Sequence, residues 1–169
     1  MVAILAITPP SAHGPGNVQT HEARILWRRE GSGFLDQRYS RAHEWHFDGG
    51  AVVEASASPA NVPIPWSVAS AVDPEEALVA AVSSCHMLWF LALSARHGFV
   101  VDQYSDEAVG ILETEANGRK AFSSITLHPR LSFSDRRPTD AELSTLHAEA
   151  HDNCYIANSL RCEVIVAPD

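Results

Sequence analysis

Nineteen consecutive residues, Ala77 to Ala95, carry no charge, and any fold of this chain must accommodate them. As a helix the stretch would be long enough to cross a bilayer. Its centre, however, reads Ser83-Ser84-Cys85-His86, and five of the nineteen residues are alanine. Polar groups at that depth of a membrane are costly, so the stretch reads as a core helix and no membrane partner is expected. Its start is well marked. Asp73 can cap, Pro74 suits the first helical position, and Glu76 completes a capping box. Gly98 is placed to end the helix after His97. About 24 residues at 1.5 Å each give a rod of roughly 36 Å. Because it is apolar on almost every side, it is expected to be buried centrally, with the other elements around it.

The flanking sequence supplies strands and one more helix. Ala23 to Arg29, Arg38 to Phe47 and Ala51 to Ser58 have strand character, with Asp48-Gly49-Gly50 as the turn between the last two. Asp106 to Glu115 and Phe122 to Phe133 read as a hairpin around Asn117-Gly118. Thr139-Asp140-Ala141-Glu142 is a second capping box, opening a helix through about Asp152. A short helical segment over Tyr155 to Leu160 and a closing strand, Cys162 to Val166, complete the order. The 169 residues suit one α+β domain over 21–169. Residues 1–20 read as a flexible leader, and Met1 to Ile7 lacks the basic residues of a secretory signal.

Charge and cysteine content narrow the function classes. Twelve basic residues against 21 acidic ones leave a formal net charge of −9, which disfavours nucleic acid as a partner. Three cysteines, Cys85, Cys154 and Cys162, are an odd and low count. That does not fit a disulfide framework and points to the reducing cytoplasm.

The two helix-borne cysteines are the first place to look for chemistry. Cys85 lies mid-helix, where the helix dipole cannot activate it. Apolar surroundings would raise its pKa, leaving a small inert core residue unless a cation lies nearby. A rival set is His147, His151 and Cys154, on one helical face, with His86 or Cys85 as a fourth ligand for zinc. Against it stands the ordinary reading of a solvated helix face.

Taken in order, Asp73-Pro74-Glu75-Glu76, Ser83-Ser84-Cys85-His86 and Ala150-His151-Asp152-Asn153-Cys154 resemble the OsmC/Ohr family, the osmotically inducible and organic hydroperoxide resistance proteins. The resemblance runs from about Ala23 to Val166. It implies antiparallel sheets around a long buried helix in an intertwined homodimer. It also implies a peroxidase that uses no metal or other cofactor. Cys85 then matches the peroxidatic cysteine, Cys154 the resolving cysteine and Glu75 the glutamate that holds an arginine. The arginine matches Arg41, with Arg38 as the fallback. Glu76 is then only a cap, and Cys162 a bystander. Implied partners are an organic hydroperoxide and a lipoyl-type dithiol reductant. A non-enzymatic ligand-binding relative would keep the fold without thiol activation. The separation of Glu75 from Cys85, about 15 Å along one helix, agrees with a site completed by a second chain.

Overall fold

A computed structural model of the chain describes residues 18–29, 31 and 33–168. Of the expected leader, 1–20, all but the last three residues lie outside the described residues. The chain divides into two compact units, one up to Val72 and one from Asp73 onward.

In the first unit, β1 (Ala23–Leu26), β2 (His43–Phe47) and β3 (Val52–Ala55) form an antiparallel sheet in that order. The β2–β3 hairpin turns where Asp48-Gly49-Gly50 predicts. Gly50 adopts φ 88° and donates its N–H to the Phe47 carbonyl, 3.0 Å away. All three strands are shorter than expected. The segment between β1 and β2 is instead held by side chains: Trp27, Phe34 and Tyr39 pack their rings together, and Trp27 Nε1 donates to the Ser40 carbonyl at 2.8 Å. Val72 joins β3 through a parallel bridge to Ala55.

In the second unit, α1 runs Pro74–Arg96, with Asp73 and Glu76 forming the expected reciprocal box. Its far end is a Schellman closure. Gly98, at φ 76°, donates to the Ala95 carbonyl, and Phe99 to that of Ser94. The apolar pattern is only half used within one chain. Val82, His86, Trp89, Phe90 and Leu93 are buried on one face, while Leu88 opposite is 48% exposed. By length and composition α1 could cross a membrane, yet 33% of its apolar window is packed inside the chain.

The strands that follow correct the sequence reading. The expected hairpin is present as β5 (Val109–Thr114) and β6 (Lys120–Leu127). The expected second arm through Phe133, however, breaks at His128. Beyond the break, β7 (Pro129–Ser134) pairs with β4 (Val100–Asp106), a strand the sequence did not signal. The break is pinned by Asp106, whose Oδ1 accepts the His128 backbone N–H. α2 (Asp140–Asn153) starts in its capping box on Thr139 and Glu142 and packs on α1. A 3-10 turn (Ala157–Ser159) then leads to β8 (Glu163–Val166). β8 lies parallel to β6, so this sheet is mixed rather than antiparallel throughout. The long connection through β7 and α2 makes a parallel return possible.

Two apolar clusters organise this unit. Trp89, Phe90 and Leu93 of α1 pack with Phe99 and with Leu146 and Ala150 of α2. Val82 packs with Ile125 and Leu127 of β6. Gly110 lets β5 approach α1 closely, since a Cβ there would lie 2.6 Å from both Phe122 and Val79.

Candidate thiol site

α1 carries Cys85 half-buried at its middle, packed against the first apolar cluster. Cys154 is the C-cap of α2, where the backbone leaves helical geometry (φ −71°, ψ 105°). That departure turns its side chain into the interior, where it is 0% exposed. Its Sγ lies 4.0 Å from the Val82 carbonyl, three residues before Cys85 on α1, and accepts the Ala157 N–H at 3.4 Å. Cys85 is near enough for its sulfur to act on the Cys154 thiol. Burial, and then the neighbouring Cys85 sulfur, push Cys154 up to about 11 against the pull of the Ala157 N–H. Cys154 is therefore a protonated thiol at neutral pH. All three cysteines are free, and Cys162 packs in the other cluster, with Val82, Ile125 and Leu127.

Beside the thiols lies a buried imidazole pair that spacing alone did not reveal. His86 Nε2 and His147 Nδ1 are 3.1 Å apart with their rings parallel, and Phe90 stacks on His147 at 4.4 Å. Burial lowers His86 to about 4, helped by His147 and His151 and opposed by Asp106; burial alone lowers His147 to about 4. Both are neutral at physiological pH. Asp106 also accepts the Ser83 hydroxyl at 2.5 Å, tying β4 to α1 two residues from Cys85. Tyr104 was missed together with β4, and Asp106 was read only as the start of the hairpin. The Tyr104 hydroxyl is buried without a partner, and burial pushes its phenol up.

Of the residues singled out in the sequence, the structure brings together Cys85 and Cys154. Glu75 sits in the first turn of α1, about 15 Å along the helix from Cys85 of the same chain. Glu76 is a cap, as expected. Arg41 lies in the first unit, where its guanidinium donates to the Gln37 and Tyr39 carbonyls at 2.7 and 2.5 Å and stacks on the Tyr39 ring. Arg38 is exposed beside it. Trp89 and Phe90 of α1 are buried core residues.

The zinc arrangement is not assembled. Among the described residues no three His, Cys, Asp or Glu side chains gather as a ligand set. The reason is local. His147 turns Nδ1 to His86, while Cys154 has left the helical face for the interior.

Fold and site together define an α+β protein with two adjacent thiols, one on a long helix and one buried at the end of a second helix. A profile of the OsmC-like protein family matches residues 67–168. A solved OsmC-like protein of unknown function from Vibrio cholerae is 46% identical, with a TM-score of 0.87, over 90% of this chain and all of that one. The chain belongs to the OsmC-like family. Two more distant structures share the fold. An organic hydroperoxide resistance protein from Legionella pneumophila is 17% identical, with a TM-score of 0.63 over 90% of this chain and 97% of that one. Another, from Elizabethkingia anophelis, is 17% identical, with a TM-score of 0.65 over 90% and 95%. No curated protein matches the sequence.

Proposed function

We propose that the protein is a cytoplasmic, thiol-dependent peroxidase that reduces organic hydroperoxides. The observation carrying this reading is the adjacency of Cys85 to a buried, protonated Cys154. The Cys85 thiolate attacks the outer peroxide oxygen. The O–O bond breaks, the alkoxide takes a proton and leaves as an alcohol, and Cys85 becomes a sulfenic acid. The Cys154 sulfur then displaces hydroxide from that sulfenic acid, its proton leaving with the hydroxide as water, and a disulfide forms. An external dithiol, of the lipoyl type by family likeness, restores both thiols and is itself oxidised.

In this reading Arg41 supplies the cation that favours the Cys85 thiolate, and Glu75 holds the guanidinium by paired hydrogen bonds. Glu75 cannot reach the Cys85 of its own straight helix, so we infer a homodimer in which a partner copy completes each site. Fold likeness to hydroperoxide resistance proteins supports the substrate class. The test is dithiol-dependent turnover of cumene hydroperoxide against hydrogen peroxide, with peptide mapping after one equivalent. Preference for the organic peroxide and a Cys85–Cys154 disulfide are expected. Cys85 remaining reduced would overturn the mechanism.

A further inference from the structure

Arg41 stands two residues before β2, and its backbone is held on both sides. Its N–H donates to the Trp66 carbonyl at 2.8 Å, and its own carbonyl lies 2.8 Å from His43 Nδ1. The guanidinium bonds to Gln37 and Tyr39 both leave from Nη1, so the Nε and Nη2 hydrogens remain for other partners. Arg38 is placed differently: its N–H goes to the Asp36 carboxylate, and the residue is exposed.

The bond from His43 depends on which of its nitrogens carries the hydrogen, and a neighbour on the same strand decides that. Strand alternation puts His43 and Trp45 on one face of β2, across from Ala55 and Val53, with Glu44 and Glu54 on the other face. Trp45 Nε1 lies 2.8 Å from His43 Nε2. An indole N–H only donates, so Nε2 is the acceptor. The imidazole is then neutral with its one hydrogen on Nδ1, and Nδ1 faces a carbonyl, which only accepts. Trp45, His43 and Arg41 thus form one directed chain of hydrogen bonds.

The geometry points to His43 as a positioning residue for Arg41: Trp45 fixes the imidazole in its Nδ1–H tautomer, and that N–H holds the Arg41 carbonyl. Its role rests on that of Arg41 proposed above, as the cation that favours the Cys85 thiolate. Fixing a long side chain costs rotamer freedom. A backbone already pinned at its N–H and its carbonyl leaves only that side chain to be ordered. His43 acts through the backbone from which the guanidinium extends.

Two substitutions separate the hydrogen bonds. His43→Asn keeps an amide N–H close to the place of Nδ1, and His43→Gln keeps an amide oxygen close to the place of Nε2. The readouts are Cys85 alkylation by iodoacetamide, located by peptide mapping and followed against pH, and kcat/KM for cumene hydroperoxide. Arg41→Ala should slow alkylation at neutral pH by about ten-fold or more. His43→Gln should slow it by about five-fold, the fold-change of one net hydrogen bond, and His43→Asn should recover most of that loss. Each deficit should vanish at high pH, where Cys85 ionises unaided, whereas a damaged fold would react abnormally at every pH. In an Arg41→Ala background His43→Gln should change nothing further. A further loss there, equal losses in the two His43 variants, or a wild-type rate in His43→Gln would overturn the assignment and leave the peroxidase reading in place. A wild-type rate in Arg41→Ala would remove the cation from that reading, and the role of His43 with it. Nitrogen NMR of the wild-type imidazole needs no variant: the Nδ1–H tautomer is expected, and an Nε2–H tautomer would overturn the assignment.

Discussion

Lowering the pH should destabilise this fold through His86 and His147 well before most carboxylates protonate. Both imidazoles are held at about 4 in the folded protein, against 6.5 when solvated. A depressed histidine pKa means that the unfolded chain binds the proton more readily. Their contribution is therefore complete above about pH 6.5 and is lost as pH falls from there toward 4. At about 1.4 kcal/mol per unit, each imidazole loses roughly 2 kcal/mol by pH 5 and about 3 kcal/mol by pH 4. Because each is at most 4% exposed, solvent screening reduces these figures little. Two losses of that size are a large share of the 5–15 kcal/mol typical of a whole domain. Urea unfolding at about pH 7 and pH 5 measures the effect, with a shift in midpoint of about 1–2 M per imidazole at a typical m-value. The control is the double variant His86→Leu/His147→Phe. It replaces the pair by apolar groups, and its pH dependence isolates the contribution of the two histidines from every other titrating group. If wild type and double variant lose stability in parallel between those pH values, the imidazoles are solvated and the burial argument is wrong.

Four further outcomes are expected. In the peroxidase assay Cys85→Ser should be inactive. Cys154→Ser should complete one oxidation and then stall, with mass spectrometry finding Cys85 as sulfenic or more highly oxidised acid and Cys162 unmodified. Gly110→Ala should cost about 1–3 kcal/mol by crowding Phe122 and Val79; a neutral result in chemical denaturation would mean that β5 can move away from α1. Sedimentation at micromolar concentration should show a dimer, and a stable monomer would remove the route by which Glu75 serves a thiol site.

What could be read along the chain was what neighbouring residues decide among themselves. Asp73 with Glu76, Thr139 with Glu142, and Gly98 in its left-handed conformation mark helix ends through contacts spanning three to five residues. The Asn117-Gly118 hairpin and the turn at Gly50 are local in the same way. The family motifs around Cys85 and Cys154 were also legible, because their spacing is carried by the chain itself.

Pairings between distant segments were not legible. β4 is an irregular strand whose ladder with β7 shifts register between Val101 and Gln103, so it lacks a clean alternation. The break between β6 and β7 depends on Asp106, 22 residues from His128. The His86–His147 pair joins residues 61 apart, and nothing in either local sequence announces it. Such contacts form only when apolar burial brings the helices together, and burial then sets the protonation of what lies between them. Chain-local hydrogen bonding and side-chain period determined where the two helices and the hairpin turns lie. Tertiary packing decided which thiol stays protonated, which histidines stay neutral and how the strands are partnered.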